Sequence, residues 1–302
     1  MAKVLNIMSH KGGTGKTTTA VNLAYGLAQK GLKGLCIDLD EQGNMTSILL
    51  QLKDQYPSSD VQEFLEHCKT HSQQGQAHAS LCGLKDYIQK DRIRCTIYDV
   101  LMKRRTIQEC IHPTPYENLD IVPYSPDILD AENRLQATMA TFCLQDALQE
   151  IDDAYDFIIL DNHPAENSIT YNAVMAAHKE GDLHLLPIKV DRGGLEGIVR
   201  TLHLIYTLRD EKRNQLHSQI RLLVTMKNRN QEDSQWDMAL HQAFPEEILS
   251  STIRYQAKPV VYASLHKKVL LEKPDTNVAR DYQKAVDEVY TLLQENGHVN
   301  AH

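Results

Sequence analysis

The sequence has 302 residues, of which 42% are hydrophobic, and a formal net charge of −8 at pH 7. A chain of this length and composition can bury a large core as one α/β domain, and its acidic balance does not favour indiscriminate binding to nucleic acid. No run of about 20 apolar residues occurs, and the first residues lead directly into an apolar strand pattern, so the sequence favours neither a transmembrane nor a secreted protein. We therefore expect a cytoplasmic protein.

The first predicted strand and the first predicted helix enclose a glycine-rich segment. Residues 3–9 have the pattern of a short buried strand, and apolar residues recur at helical spacing from Thr17 to Lys30. Between them, residues 11–18 read Lys-Gly-Gly-Thr-Gly-Lys-Thr-Thr. Glycines let backbone N–H groups surround an anion, and the helix N-terminus adds its dipole, so we predict a phosphate-binding loop (P-loop). In the ordinary motif a glycine occupies the position that His10 has here.

The chemistry of this loop gives each residue an expected role. Lys16 is expected to hold the β- and γ-phosphates, the Thr17 hydroxyl to ligate Mg²⁺, and Thr18 to bond an α-phosphate oxygen. Lys11 lies at the mouth of the loop, where it would bend back awkwardly onto the same phosphates but could reach a nucleotide on a second subunit. Lys11 and Lys16 are also predicted to act in catalysis. The predicted nucleotide-binding residues of the loop are Lys11, Gly12, Gly13, Thr14, Gly15, Lys16, Thr17 and Thr18.

Two further predicted strands end in carboxylates. The strand Leu35 to Ile37 leads into Asp38 and Asp40, and the strand Phe157–Leu160 leads into Asp161. Ligands of open α/β sheets bind at the carboxyl ends of the strands. We predict that Asp161 holds Mg²⁺ through a water and that Asp40 orients the attacking water or accepts its proton. The predicted metal site consists of Thr17, Asp40 and Asp161, so that Asp40 is expected near both the metal and the attacking water.

The remaining pattern alternates apolar runs with helical stretches. Residues 119–122, 183–188 and 220–224 are nearly continuous apolar strands, which indicates a mostly parallel, twisted sheet with helices on both faces. We predict one P-loop domain over residues 1–302. A polar stretch at about 52–95 is predicted to be an inserted subdomain or mobile loop, and residues 297–302 to be a flexible tail.

The cysteines form no Cys-x-x-Cys pair, which favours reduced thiols in the core: Cys36, Cys68, Cys82, Cys95, Cys110 and Cys143. A second group of possible metal ligands matches no zinc module well, and the sequence does not favour a metal site there: His67, Cys68, His71, His78 and Cys82.

Positive charge concentrates towards the C-terminus. Residues 192–280 contain fourteen Lys and Arg against ten Asp and Glu, a net charge of +4, whereas residues 1–191 contain seventeen against twenty-six, a net charge of −9. Cations in this region could contact DNA phosphates without reading bases. The candidates are Arg200, Arg209, Lys212, Arg213, Arg221, Lys227, Arg229, Lys267 and Lys268. No helix-turn-helix pattern precedes the P-loop, so operator recognition is not expected.

Residues 11–18 closely resemble the deviant Walker A box of the ParA/MinD group of ATPases. Asp38–Asn44 is similar to the partition-ATPase motif Asp-x-Asp-Pro-Gln-Gly-Asn, with Glu41 in place of proline. The likeness to ParA/Soj proteins continues through segments 96–101, 119–132, 185–197 and 223–226, so that it covers nearly the whole chain apart from the insertion and the tail. The sequence departs from the family pattern at Glu41, at Asn162-His163-Pro164 and at Asp191-Arg192-Gly193.

This resemblance implies a function. It implies ATP and Mg²⁺ as ligands, a homodimer that sandwiches ATP, slow hydrolysis, and binding of the ATP dimer to nonspecific DNA on the nucleoid. The cargo would be a plasmid, a chromosome or a protein organelle such as a carboxysome, linked through an activator or adaptor protein. It also implies that Gly12 and Gly13 lie where subunits approach closely and that Met226 flanks the adenine.

Other classes of protein are less favoured. A MinD-like membrane ATPase would need a basic amphipathic C-terminal helix, whereas the apolar stripe of the last helix lies among acidic residues and suits core packing. An iron–sulfur reductase would need cysteines near Asp161, and a ligase or kinase such as dethiobiotin synthase would not share the Asp38–Asn44 likeness. A binding module without turnover would not need Asp40.

Overall fold

One sheet lies at the centre of the part of the chain that the structure describes. The structure is a computed structural model, and it describes residues 1–52, 93, 95–211 and 216–295. In the order β3-β4-β2-β5-β1-β6-β7-β8, all neighbouring strands run parallel except β3 and β4, which confirms the predicted fold class. The eight strands are β1 (Lys3–Ile7), β2 (Gly34–Leu39), β3 (His112–Pro113), β4 (Leu119–Val122), β5 (Phe157–Asn162), β6 (Leu183–Lys189), β7 (Gln219–Lys227) and β8 (Ile248–Arg254).

Helices cover both faces of the sheet. Helices α1, α2, α9 and α10 share one core with the sheet, and α3 to α8 pack on the opposite face. In β5, for example, Phe157 and Ile159 face the first group, and Ile158 and Leu160 face the second. The described helices are α1 (Lys16–Gln29), α2 (Asn44–Leu49), α3 (Ile97–Leu101), α4 (Ile128–Thr138), α5 (Cys143–Gln149), α6 (Ser168–Ala176), α7 (Arg192–Glu211), α8 (Gln231–Ala243), α9 (Ala257–Leu265) and α10 (Asn277–Glu295).

Strand β1 lies between β5 and β6. Ile7 at its end pairs with Asp161 on β5 and with Leu185 on β6. The chain after β1 returns as β2, on the β5 side, whereas β6, β7 and β8 extend the sheet in the other direction. The carboxyl end of β1 is therefore a topological switch point, which is where open α/β sheets bind ligands.

The predicted strands agree closely with the observed ones. Strand β4 has the predicted bounds, and the other predicted strands differ by a few residues at their ends. The sequence reasoning missed β8, at the edge of the sheet. Its burial alternates and its centre is Ser-Ser-Thr, so no continuous apolar run marks it.

The last helix packs its apolar stripe into the core, as predicted. Val278, Tyr282, Val286 and Val289 of α10 are all buried, and α10 packs against α1 and β8.

None of the helices within the described ranges combines the length and apolarity needed to cross a membrane.

The prediction that the cysteines are reduced is wrong for one pair. Cys95, just before α3, and Cys110, at the end of a short 3₁₀ turn, form a disulfide with a Cα–Cα distance of 4.8 Å. The two cysteines are fifteen positions apart, and the chain between them folds α3 back towards this turn, an approach that sequence spacing alone does not reveal. Among the described residues, Cys36 and Cys143 are free thiols.

Several sequence predictions lie outside the described residues. They are the insertion at 52–95 apart from Leu52, Ile93 and Cys95, the tail at 297–302, the His/Cys group at 67–82, and the DNA candidates Lys212 and Arg213. The described residues up to Gln51 and from Cys95 onward belong to one compact unit.

The first residue of β2 is a test of core packing. A Cβ at Gly34 would lie 2.1 Å from Cζ of Phe157, whose ring is fully buried. Because the ring would have to move within a close-packed core, we expect Gly34→Ala to lower the free energy of unfolding by about 1–3 kcal/mol. Urea denaturation followed by circular dichroism measures this change. As a control, Gly12→Ala should change the free energy by less than about 0.5 kcal/mol, because no described atom lies within 4 Å of its Cβ position. Equal destabilisation by the two variants would contradict the packing argument.

Candidate active site

The P-loop connects the end of β1 to the start of α1. Gly13 and Gly15 have φ angles of 73° and 83°, a left-handed conformation that glycine adopts without strain. Gly15 directly precedes α1, so the free N–H groups of the first helical turn face the loop. The hydroxyl of Thr225, on β7, donates a hydrogen bond to the carbonyl oxygen of Thr14 at 2.8 Å. The loop is thus attached to a strand two positions away in the sheet.

Lys16 lies in a buried cluster of charges. Lys16 is only 6% exposed, and its Nζ donates a hydrogen bond to the carbonyl oxygen of Lys11 at 3.4 Å. Burial lowers the pKa of Lys16, and the nearby carboxylates of Asp161 and Asp40 oppose this shift. The structure therefore places Lys16 close to Asp40 and Asp161.

Asp161 is a fully buried carboxylate, and Lys16 is its nearby cation. Both of its oxygens are buried and make no hydrogen bond of normal geometry to the described residues. Burial raises the pKa of Asp161 well above its usual value, the negative charge of Asp38 adds to the rise, and the nearby Thr17 hydroxyl partly offsets it. An orphaned carboxylate beside a threonine hydroxyl suits a hard divalent cation such as Mg²⁺. The donor set predicted for the metal thus fits the geometry of this edge.

Asp38 and Asp40 have different environments although they are two residues apart. Asp38 is fully buried and accepts hydrogen bonds from the backbone N–H and the hydroxyl of Thr46, at 2.8 and 2.7 Å. Burial raises the pKa of Asp38 to about 7, against these hydrogen bonds. Asp40 lies beyond the strand, where Oδ1 accepts the N–H of Gln42 at 3.0 Å. Asp38 therefore holds the start of α2, which leaves Asp40 as the carboxylate available for chemistry.

Two residues that depart from the family pattern lie close to each other. His163 follows β5 and Glu41 follows β2, and His163 Nε2 lies 3.6 Å from Glu41 Oε1. Next to His163, the side-chain amide of Asn162 donates to the side-chain oxygen of Asn6 and to the carbonyl oxygen of Ile7. The segments just after β2 and β5 thus lie close together, and the end of β5 is hydrogen-bonded to β1.

Lys11 is held inside its own subunit. Its Nζ lies 2.5 Å from Oδ1 of Asp191, the residue that precedes α7. The sequence reasoning missed this partner, although one signal was present, because Asp191 follows the apolar strand β6 as the other site carboxylates follow β2 and β5.

The other predicted nucleotide-binding residues surround the loop. Gly12 and Gly13 are exposed, and Thr17 and Thr18 are half-buried at the start of α1. Met226 lies next to the loop, with its Cε 3.5 Å from the position that a Cβ on Gly15 would take.

The structure divides the predicted DNA contacts between the two faces of the sheet. Arg200 and Arg209 are on α7, whereas Lys267 and Lys268 follow α9 on the opposite face. Arg200 is exposed, but the guanidinium of Arg209 donates to the carbonyl oxygen of Ser218 at 2.9 Å.

Further candidates have local partners. The guanidinium of Arg221 donates to the carbonyl oxygen of Ile220 at 3.0 Å, and Lys268 lies 3.8 Å from Glu272. Lys227 pairs with Asp237, and Arg229 is exposed. A surface formed by all of these cations in one subunit therefore does not exist among the described residues.

A family model and curated relatives show the family of this chain, and solved structures share its fold. Residues 2–218 match the model of a family described as an AAA domain. The chain is 34% identical to the chromosome partitioning protein ParA of Myxococcus xanthus over 206 residues. This alignment covers 68% of this chain and 58% of that protein. It is 27% identical to the sporulation initiation inhibitor protein Soj of Bacillus subtilis over 290 residues. This alignment covers 96% of this chain and 98% of that protein. Among solved structures, apo McdA of Cyanothece has a TM-score of 0.73 at 21% identity, covering 97% of this chain and 100% of that one.

The burial of the Asp161 carboxylate, which Lys16 and Thr17 offset only in part, should make the ligand-free protein less stable. A raised pKa means that the folded protein keeps a proton that the unfolded chain has lost, so this group reduces stability as pH rises above about 4. We expect Asp161→Asn to raise the free energy of unfolding by about 1–3 kcal/mol at pH 8 and by less at pH 5. Thermal denaturation without nucleotide or Mg²⁺ at the two pH values measures the difference.

Asp182 is a matched control, because it is also buried but accepts hydrogen bonds from the backbone N–H groups of Val4 and Lys179, both at 2.8 Å. Burial also raises the pKa of Asp182, to about 6, but asparagine would place an amide donor against one of these two N–H groups, so Asp182→Asn should destabilise the protein. A lower melting temperature for Asp161→Asn in the ligand-free state would refute the assignment of Asp161 as an incompletely compensated charge.

Proposed function

Because the chain belongs to the AAA-domain family of ParA/Soj partition ATPases, we propose that it binds ATP with Mg²⁺ and hydrolyses it slowly. The observation that carries this proposal is the cluster of Lys16, Asp40 and Asp161 at the mouth of the P-loop. Three buried or nearly buried charged side chains, two of them carboxylates, are costly in the ligand-free protein, and a metal-bound polyphosphate would supply a cation for the carboxylates and an anion for the ammonium.

Each side chain has a role in this proposal. Lys16 neutralises the β- and γ-phosphates from inside the P-loop. Thr17 and Asp161 would hold Mg²⁺, which would draw electron density from the phosphate oxygens. Asp40, at the end of the adjacent strand, orients the attacking water and accepts its proton. The pairing of β2 with β5 places Asp40 near Asp161, and Glu41 and His163 approach each other just beyond the ends of these strands.

We propose that the active form is a homodimer with ATP at the interface. Gly12 has no left-handed φ, and no described atom lies within 4 Å of its Cβ position, so nothing described within the subunit requires glycine there. Gly12 and Gly13 are exposed beside Lys11, on a surface where a second subunit could approach closely. This agrees with the role that the family resemblance gives to Lys11.

We propose further that the ATP dimer binds nonspecific DNA and thereby positions a cargo on the nucleoid of the cytoplasm. The relatives that are named as chromosome partitioning proteins make a chromosomal locus the first candidate cargo, with an adaptor protein as the link and activator. A plasmid or a protein organelle such as a carboxysome is the alternative. Because exposed cations lie on both faces of one subunit, dimerisation would be needed to combine weak contacts such as that of Arg200 into one surface.

A membrane-cycling ATPase is the second candidate, and the packing of α10 argues against it. Val278, Tyr282, Val286 and Val289 are buried against the core, so this stripe offers no free apolar face to lipid.

The catalytic proposal is tested by two variants. Lys16→Ala should weaken ATP binding at least about tenfold, because a buried charge-assisted contact is lost. Asp40→Ala should bind ATP within about threefold of the wild type and lose about 10²–10⁴-fold in turnover, because only the water is affected. Fluorescent-nucleotide titration and phosphate release measure the two effects. Lys33→Ala is the control, because Lys33 stacks on Tyr155 away from the P-loop. Normal turnover by Asp40→Ala would show that another group activates the water.

The DNA proposal is tested by a mobility shift with a random duplex in ATP, in ADP and without nucleotide. We expect a shift in ATP alone, and a loss of affinity of about tenfold when the salt concentration doubles, as for about four phosphate contacts. Arg200→Ala should weaken the shift without changing the melting temperature. A shift that is equal in all three nucleotide states would refute DNA binding by the dimer, and ATP-dependent sedimentation with anionic liposomes would favour the membrane alternative.

A further inference from the structure

A carboxylate at the head of α7 binds two lysines at once. Lys11 Nζ lies 2.5 Å from Asp191 Oδ1, and Lys189 Nζ lies 2.8 Å from Asp191 Oδ2. Asp191 Oδ1 also accepts the backbone N–H of Gly194 at 2.7 Å. Asp191 is therefore both the N-terminal cap of α7 and the anion that neutralises Lys11.

Helix α7 leaves room for the Lys11 side chain along its first two turns. A Cβ on Gly193 would lie 2.6 Å from Lys11 Nζ, and a Cβ on Gly197 would lie 3.0 Å from Lys11 Cβ. One turn further, the Thr201 hydroxyl accepts the backbone N–H of His10 at 3.1 Å. Residues 10 and 11 thus lie along α7 in a space that larger side chains at positions 193 and 197 would fill.

The charges around Asp191 keep this contact ionic over the physiological pH range. Partial burial alone would raise the pKa of Asp191, but the hydrogen bonds from Lys11, Lys189 and Gly194 outweigh it and hold that pKa well below the usual range. The carboxylate is therefore ionised wherever the protein is folded near neutral pH, and protonation does not release Lys11.

We propose that Asp191 is a positioning residue that holds Lys11 on its own subunit until two subunits associate. The second half of this inference rests on the proposed function, in which Lys11 contacts a nucleotide bound by the partner. On association, Lys11 exchanges the Asp191 carboxylate for a phosphate of that nucleotide. Lys189 remains with Asp191 after the exchange, so the carboxylate is not left without a cation. The contact of Lys11 with Asp191 opposes assembly and thereby sets the protein concentration at which the ATP dimer forms.

The variant Asp191→Asn tests this proposal. Asparagine keeps the shape and can still accept the N–H of Gly194, so α7 retains its cap, but the charge that holds Lys11 is gone. We expect the dissociation constant of the ATP dimer to fall about fivefold, because a half-exposed ion pair no longer competes with association. Analytical ultracentrifugation with ATP and Mg²⁺ measures this constant. Glu196→Gln is the matched control, because Glu196 pairs with Arg192 on the same helix and does not bind Lys11. An unchanged or weaker dimer for Asp191→Asn, or an equal gain for Glu196→Gln, would overturn the proposal.

A second measurement separates this inference from the proposed function. In the nucleotide-free protein, an acylating reagent followed by mass spectrometry reports how accessible each lysine is. Asp191→Asn should raise the labelling rate of Lys11 about threefold relative to Lys33, whereas Glu196→Gln should not. One outcome is that Asp191→Asn raises the labelling of Lys11 while neither the wild type nor any variant dimerises with ATP. That outcome would confirm the ion pair of Lys11 with Asp191, and it would reject both the dimer and the exchange of Asp191 for a phosphate. If the wild type dimerises and labelling of Lys11 is unchanged in Asp191→Asn, the proposed function stands and the role of Asp191 is rejected.

Discussion

The position of β1 between β5 and β6 decides which charges meet at the carboxyl edge of the sheet. Because Ile7 pairs with Asp161 on one side and with Leu185 on the other, the P-loop emerges between the end of β5, which carries Asp161, and the segment after β6, which carries Asp191. Lys16 lies beside the first carboxylate, Asp161, and Lys11 binds the second, Asp191. Lys11 and Lys16 are five residues apart in the P-loop, and they contact different carboxylates because of the order of the strands in the sheet.

Asp161 and Asp191 differ in how far nearby groups compensate the negative charge of the carboxylate. Around Asp161, desolvation exceeds the available compensation, so the cluster is destabilising until opposite charge is added. Around Asp191, two cations and a backbone N–H compensate one carboxylate. The first region is therefore prepared to bind a charged ligand, and the second is already satisfied within the subunit. A subunit of this kind can bind nucleotide readily while it holds back the lysine that faces outward.

The residues that depart from the family pattern are paired with the site and with each other. Glu41 and His163 approach across the two carboxylate loops, and Asp191 contacts the lysine that is characteristic of the family. Each of these departures contacts a residue from a different segment of the chain. Such contacts are expected because the segments that follow neighbouring strands meet at one edge of the sheet. Lys16, Asp40 and Asp161 lie together at the same edge of the sheet as these departures.

Local sequence pattern was sufficient for the parts of the protein that depend on neighbouring residues. The P-loop, α1, β4 and the burial of the last helix followed from glycine positions and from the period of apolar residues, because backbone hydrogen bonds and helix faces are local properties. The strand-end positions of Asp40 and Asp161 followed in the same way.

Only the tertiary structure decided the contacts between distant residues. Lys11 and Asp191 are 180 positions apart, and Cys95 and Cys110 meet because α3 folds back. The separation of Asp38 from Asp40 depends on Thr46, and the division of the basic residues depends on which face each helix covers. Strand order and helix placement determine these contacts, and the periodicity of a single chain does not encode either of them.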